Sequence, residues 1–251
     1  MEDGSGSPQA DPDASDEPQR LSKVVAALVP CSRREAEQYI AEGWVRVDGT
    51  PMDEPQFRVG GQQRVEIDPK ARLQAAGPVT LLMHKPAGMS TAQAQASLGA
   101  AFHWTGDGSG IRRIKSHGAG QVALLALPQP ASGLAVFSQD GRIVRKLTED
   151  AGLIEQELVA EVEGTIAPNG LARLCRGLVF EGQALPPARV SWQSEKRLRF
   201  ATKGIAPEWV PWMCEQVGLR LTALKRLRIG RVAMAGLPPG QWRYLPPGER
   251  F

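Results

Sequence analysis

The chain has 251 residues, of which 42% are hydrophobic and 23% charged. This length is sufficient for one large domain, or a large and a small one, with a core that needs no metal or disulfide. No apolar run approaches the roughly 20 residues of a membrane span, the acidic N-terminus is unlike a signal peptide, and three scattered cysteines form neither a disulfide framework nor a metal site. These features predict a cytoplasmic protein without metal or membrane segment.

The net charge of +3 is unevenly distributed along the chain. Residues 1–19 contain six acidic residues and no basic, aliphatic β-branched, leucine or aromatic residue. Such a segment cannot bury enough apolar surface to order itself, so we predict a disordered acidic tail over residues 1–19. The remainder has 30 basic and 21 acidic residues. It is either a merely basic protein or one with an anionic partner, most often a nucleic acid.

Two short helices and a small sheet are predicted within residues 20–68. Apolar residues at helical spacing indicate a first helix that ends at Pro30. Ser32 and Glu35 have the spacing of a capping box, in which each side chain bonds the other residue's backbone N–H, and so begin a second helix. Alternating valines and an Asp-Gly turn then indicate short strands.

Basic side chains cluster in this segment. They are Arg20, Lys23, Arg33, Arg34 and Arg46. Arg33 and Arg34 would lie in the first helical turn, where positive charge is mildly unfavourable. Their presence there favours an RNA contact, because backbone phosphates would compensate the unfavourable position. A solvated charged helix face is the alternative.

The run LSKVVAALVPCSRREAEQYIAEGWVRVDG resembles a small RNA-binding module, the alpha-L fold, first described in a small-subunit ribosomal protein. The Ser-Arg-Arg-Glu-Ala-Glu and Gly-x-Val-x-Val-Asp-Gly patterns carry the resemblance, which covers residues 20–68. It implies a domain that binds structured RNA.

Residues 69–78 read as a linker, and a second domain is predicted over residues 79–251. There, short apolar or alternating strands are interspersed with helices such as GRIVRKLTED and PNGLARLCRGL. This pattern predicts an α+β fold with a mixed, largely antiparallel sheet and flanking helices. Residues 99–121, rich in glycine and containing Arg112 and Arg113, read as a long basic loop.

The second domain resembles the pseudouridine synthases that modify ribosomal RNA, in the branch whose members carry this N-terminal module. The matching stretches are LLMHKPAGM, SGLAVFSQDGRIVRKLTE and MCEQVGLRLTALKRLRIGRVAMAGLPPGQWRYL. The resemblance implies enzymes that isomerise uridine to pseudouridine in RNA, with no cofactor or metal. One aspartate carries the step, in a Gly-Arg-Leu-Asp motif shortly before the Gly-Leu strand.

This chain departs from the family at that motif. Counting back from Gly133 and Leu134, the arginine position holds Ala126 and the aspartate position holds Pro128. Proline has no ionisable group and no nucleophile. The carboxylate that the family reaction requires is therefore absent from its position, and we assign no catalytic residue.

Two further departures point the same way. Leu158 occupies the position of a tyrosine that stacks on the target base in the family. Three arginine positions before the last helix hold Glu208, Pro211 and Trp212. Because three independent changes fall within an otherwise matching frame, the sequence predicts an RNA-binding protein of this family that is not catalytic.

Two alternatives remain at this point. An active synthase would need a displaced carboxylate, for which Asp107 and Asp140 are candidates. A protein-interaction scaffold would use a tryptophan-rich cleft around Trp209 and Trp212, which could otherwise stack bases or simply cap the old site.

We expect a monomer with an RNA partner, which the family implies is ribosomal RNA or its precursor, and with no membrane partner. The predicted RNA-binding residues are Arg20, Lys23, Ser32, Arg33, Arg34, Arg46, Lys85, Arg112, Arg113, Lys225, Arg226 and Arg228.

Overall fold

The computed structural model describes residues 17–71 and 77–251. They form two compact units, one containing the residues up to 71 with Arg113–Ser116 and the other containing Gly77–Arg112 with His117–Phe251. Most of the predicted tail, residues 1–16, lies outside the described residues, as do residues 72–76 of the predicted linker. Gln19, expected in the tail, already pairs with Val59 in a strand. In the described ranges, no helix is long and apolar enough to cross a membrane.

The N-terminal unit consists of two helices and short strands. In the described residues these are β1 (Gln19–Arg20), α1 (Leu21–Leu28), α2 (Arg33–Ala41), β2 (Val45–Val47), β3 (Thr50–Met52), β4 (Arg58–Val59) and β5 (Val65–Ile67). Strand β2 lies between β3 and β5 in an antiparallel sheet, and β1 pairs with β4. The helices and strands predicted here are confirmed.

Local sequence explains why these helices begin where they do. Ser32 caps α2 with the predicted capping box: its N–H donates to Glu35 Oε2 at 2.7 Å, and the Glu35 N–H donates to Ser32 Oγ at 3.2 Å. Both exchanged bonds satisfy N–H groups that a helix start would otherwise leave unpaired. The helices pack together through a small core that includes Leu21, Val25 and Ile40.

The second unit is built around one large mixed sheet. Its helices are α3 (Thr91–Ala96), α4 (Gly141–Glu149), α5 (Gly170–Arg176) and α6 (Val210–Glu215). Its strands are β6 (Thr80–Lys85), β7 (Val122–Leu124), β8 (Ser132–Ser138), β9 (Gln156–Gly164), β10 (Val179–Phe180), β11 (Gln183–Ala184), β12 (Arg189–Ser194), β13 (Arg197–Thr202), β14 (Leu219–Ile229), β15 (Val232–Ala233) and β16 (Trp242–Tyr244). Four 3-10 helices in the described residues are Ala100–Phe102, Lys115–Gly118, Ala151–Leu153 and Pro207–Trp209.

Nine of these strands form the sheet in the order β12-β13-β9-β14-β8-β6-β16, with β7 paired to β8 and β15 paired to β14. Every pair is antiparallel except β14 with β8, which is parallel and joins only Lys225 to Ser132 and Arg226 to Gly133. The α+β class with a mixed, largely antiparallel sheet is therefore confirmed.

Helices cover this sheet unevenly. On β6 and β8, side chains of one face pack with α3 and those of the opposite face pack with α4. This two-sided burial explains why all six residues of β6 are buried rather than every second one. On β9 the burial alternates, with Leu158 and Ala160 under α5 and α6 and the glutamates on the open face.

Gly133 permits the parallel joint between β8 and β14. Its φ is +112°, and a Cβ there would lie 2.6 Å from the Arg226 nitrogen and still closer to the Arg226 carbonyl oxygen. An L-residue rarely adopts this φ, and a side chain would push the two backbones apart.

We expect Gly133→Ala to lower the free energy of unfolding by at least about 3 kcal/mol, because backbone strain and overlap add. Urea unfolding would measure it. Gly141→Ala is the matched control, since a Cβ at Gly141 meets nothing within 4 Å. Equal stabilities of the two variants would contradict this role for Gly133.

Candidate functional site

The position expected for a catalytic aspartate lies in a tight turn just before β8. The Ala131 N–H donates to the Pro128 carbonyl at 3.0 Å, and Pro128 itself is half-buried. The turn presents no carboxylate, because Pro128 and its neighbours Gln129 and Pro130 carry none. It therefore cannot supply an acid, base or nucleophile.

A buried lysine holds this turn in place. Lys85, only 1% exposed, donates from Nζ to the carbonyls of Met89 at 2.8 Å and of Pro86 and Gln129 at 3.2 Å. Gln129 and Gly88 also exchange two hydrogen bonds. The sequence-based prediction that Lys85 contacts RNA is therefore not supported by its position, because its ammonium is used within the protein.

Beside the turn lies a cavity of about 380 Å³. It is lined by Leu125, Ala126, Ala151, Gly152, Gln156, Gly204, Ile205, Ala206, Pro207, Glu208 and Arg226. Glu208 is the one acid among these described lining residues, and it is exposed. Two of the positions that differ from the family, Ala126 and Glu208, thus face the same space.

Arg226 occupies this cavity wall rather than an RNA-facing surface. It is 0% exposed, and its Nε donates to the Leu134 carbonyl at 2.8 Å while Nη1 donates to Gln156 Oε1 at 2.9 Å. The sequence predicts Arg226 as an RNA-binding residue. The position of Arg226 does not support that prediction, because strand alternation places Arg226 on the same buried face of β14 as Leu224.

The neighbouring cations of β14 differ from one another. Arg228 is half-buried and bonds Glu155 at 2.6 Å and Glu157 at 3.1 Å, so its charge is largely neutralised. Hydrogen bonds from Arg228 and Arg199 are the main reasons why the pKa values of Glu155 and Glu157, respectively, lie below their ordinary range. Lys225 is half-buried, as are Arg112 and Arg113 in the glycine-rich loop.

The basic residues of the N-terminal unit are, in contrast, exposed. Arg20, Lys23 and Arg33 line one groove of about 680 Å³, and Ser32, Arg34 and Arg46 also lie on the surface. Arg33 forms an exposed ion pair with Glu37 at 3.4 Å, which is weak in water. The structure thus brings three of the predicted RNA-binding cations of this unit together.

The two carboxylates considered for a displaced catalytic role are engaged elsewhere. Asp140 caps α4 by accepting from the Arg142 N–H at 2.9 Å. The Asp107 side chain is 4% exposed and accepts hydrogen bonds at 2.9 Å from His103 Nε2 and from the N–H groups of Ser109 and Tyr244. Neither lines the cavity, and three hydrogen-bond partners fix the Asp107 carboxylate where it is.

The remaining aromatic candidates pack against the protein. Trp209 and Trp212 both contact Phe180, with ring centroids 5.2 Å and 5.0 Å apart, and both pack on the core around α6. Leu158 is fully buried in the same core. These contacts favour a packing role for the tryptophans over an open stacking platform.

Comparisons with known proteins follow the same division into two units. Residues 19–65 match the S4 domain family. The chain is 30% identical over 237 residues to ribosomal large subunit pseudouridine synthase B of Bacillus subtilis (strain 168), covering 92% of this chain and 93% of that protein. It is 26% identical to the dual-specificity RNA pseudouridine synthase RluF of Escherichia coli (strain K12), covering 92% and 76%.

A solved pseudouridylate synthase structure has the same fold, with a TM-score of 0.56 at 16% identity over 90% of this chain and 95% of that one. Fold and sequence together define an S4 domain followed by a pseudouridine-synthase-like domain. The chain belongs to the ribosomal RNA pseudouridine synthase family.

We expect Asp107→Ala to lower the free energy of unfolding by about 1–3 kcal/mol, because the Tyr244 N–H would lose its acceptor. Burial would raise the pKa of Asp107, but the hydrogen bonds it accepts outweigh burial and hold the pKa below 3.8. The difference in free energy of unfolding between the parent and Asp107→Ala should therefore be largest at neutral pH and should decrease as the pH falls through that lowered pKa. Denaturant unfolding at several pH values measures this difference. As a control, Asp150→Ala should change the free energy of unfolding little, because Asp150 is exposed. An equally small effect of Asp107→Ala would contradict the structural role of Asp107.

Proposed function

We propose that this protein binds structured RNA through its N-terminal unit and does not convert uridine to pseudouridine. The proposal that the protein does not form pseudouridine depends on Pro128, which stands where the family reaction needs a carboxylate. Loss of a positioned acid or base lowers rates by about 10²–10⁴, and loss of a nucleophile by about 10⁶.

The groove lined by Arg20, Lys23 and Arg33 supports the RNA-binding part. Cations that lie on one exposed surface with few protein partners are available to phosphates, and each phosphate contact releases counterions. By contrast, the cations of β13 and β14 are mostly paired with glutamates of β9. The N-terminal unit is therefore the better RNA-binding surface.

Ribosomal RNA, or a precursor of it, is the proposed partner, because the B. subtilis relative is named for the large ribosomal subunit. A cytoplasmic location and a monomeric state stay predictions from the sequence. Crosslinking in cells followed by sequencing of the bound RNA would identify the partner, and recovery of no ribosomal sequence above background would contradict this choice.

The two alternatives are weaker. Neither Asp107 nor Asp140 supports an active synthase, and Glu208 is the remaining carboxylate that lines the cavity. A peptide-binding cleft lacks support because Trp209 and Trp212 pack on Phe180 and the core.

We expect the double change Arg33→Ala and Arg34→Ala to weaken binding to a structured ribosomal RNA transcript and to flatten the salt dependence by about one unit per lost phosphate contact. Filter binding or fluorescence anisotropy at several salt concentrations would measure both. Arg173→Ala with Arg176→Ala is the control, because it removes the same charge from the exposed last turn of α5. If the first variant binds like the parent with the same slope, the assignment to α2 is wrong; binding that is insensitive to salt would favour the scaffold alternative.

The purified protein should form no pseudouridine in ribosomal RNA transcripts. Pro128→Asp alone should also fail, because Ala126 and Glu208 line the cavity at two arginine positions of the family and the buried Leu158 offers no stacking ring. An aspartate without positioned neighbours is a poor catalyst. Pseudouridine has the mass of uridine, so nucleoside chromatography or chemical labelling with primer extension is the assay.

Stoichiometric conversion by the unmodified protein would overturn this part of the proposal. Glu208→Gln and Asp107→Ala would then identify the carboxylate responsible. RNA binding measured on the same preparations separates a loss of binding from a loss of chemistry.

A further inference from the structure

The Arg226 guanidinium is buried with one nitrogen unused. Its Nε and Nη1 donate to Leu134 and Gln156, whereas Nη2 has no hydrogen-bond partner in the part of the chain that the structure describes. No carboxylate of the described residues forms an ion pair with Arg226. Both of its bonds are to neutral oxygens, so among the described residues its positive charge has no hydrogen-bonded counter-ion, and the charge of Glu208 acts on it only through space.

Such an arrangement is energetically unfavourable unless something else compensates it. A buried ion that lacks a partner costs several kcal/mol. Burial lowers the pKa of Arg226 to about 9, with the charge of Glu208 opposing that shift, so the group remains protonated at neutral pH. Lys85 adds a second buried cation nearby, since burial and the charge of Arg226 lower its pKa.

The cavity beside Arg226 has room for a ligand. Its walls are mostly small residues, including Ala126, Ala206 and Gly204, and Gln156 is fixed there by its bond to Arg226. The rest of the lining is apolar apart from Glu208. A volume of about 380 Å³ is in the range of small-molecule sites.

We propose that this cavity binds a compact, singly charged oxyanion, a carboxylate or phosphate group, that accepts hydrogen bonds from Nη2 of Arg226. Because Nε and Nη1 are already used, the anion contacts one nitrogen and not the two-pronged guanidinium edge. Glu208 disfavours a second negative charge on the ligand, because it lines the same space. This inference does not depend on RNA binding by the N-terminal unit.

The anion can come from two sources, a free small ion or an RNA backbone phosphate. Acetate and dimethyl phosphate serve as probes, the first for a carboxylate and the second for a phosphodiester. The melting temperature of the intact protein is measured in each probe salt and, as the reference, in a chloride salt of the same ionic strength. A dissociation constant on the order of 1–10 mM would raise the melting temperature by about 3–5 °C at roughly 100 mM probe.

Matched variants isolate the site. Arg226→Met removes the donor and keeps an apolar filling, whereas Ala126→Phe fills the cavity and leaves Arg226 in place. Both variants should lose the rise in melting temperature that the probes cause in the parent. Glu208→Gln should increase it, because the competing negative charge is gone. Arg231→Met, which changes an exposed arginine just beyond β14, is the control and should behave like the parent. Where a variant already has a different melting temperature in chloride, isothermal titration calorimetry measures binding directly.

An equal rise in melting temperature in the parent, Arg226→Met and Ala126→Phe would overturn the proposal, because the rise would then be a general effect of the salt. A rise that only the two cavity variants lose supports it. Competition then identifies the source: if a structured ribosomal RNA transcript displaces dimethyl phosphate from the parent, the anion belongs to RNA. If the probe remains bound with RNA present, the ligand is a free ion. The Arg33→Ala and Arg34→Ala variant should still bind acetate even if its RNA affinity is lost.

Discussion

The close approach of β8 and β14 is the constraint on which the second unit depends. Two residue pairs, at Gly133 and Ser132, join the half of the sheet formed by β12, β13, β9 and β14 to the half formed by β8, β6 and β16. The joint exists because Gly133 lacks a Cβ at a positive φ, and Arg226 reinforces it by donating from Nε to the Leu134 carbonyl. The cavity opens beside this joint, so the residue that stabilises the sheet also lines the cavity and carries an unused donor.

Charge in this protein is arranged differently in its two units. On the open face of the large sheet, Arg197, Arg199 and Arg220 each pair with a glutamate of β9. Pairs of opposite charge on neighbouring strands contribute modestly to sheet stability, and here they leave little free positive charge. In the part of the N-terminal unit that the structure describes, Arg20 and Lys23 share a groove with Glu17 but form no ion pair comparable to those of the sheet. Net charge alone therefore overstates how basic the second unit is toward a polyanion.

The proposed function implies that the scaffold and the reaction site have diverged to different extents. The turn held by Lys85, the Gly133 joint and the strand β14 are all present, whereas Pro128 and Leu158 stand at positions to which the family resemblance assigns the chemistry. Fold and reaction are separable in this way because stability resides in backbone packing while catalysis resides in a few side chains. The tryptophans near the cleft illustrate the consequence: packed on Phe180 and the core, they stabilise the site region without offering a base-stacking surface.

The sequence by itself determined the local features and the family. The capping box at Ser32 and the Asp48-Gly49 turn follow from residues close together in the chain, whose geometry local rules describe well. Tertiary structure alone decided which basic residues are free. Lys85 and Arg226 look like RNA ligands in the sequence, but Lys85 is buried against the Gln129 turn and Arg226 lies on the buried face of β14 with Leu224. Those outcomes depend on partners 44 and 92 residues away in the chain, which no local pattern can specify.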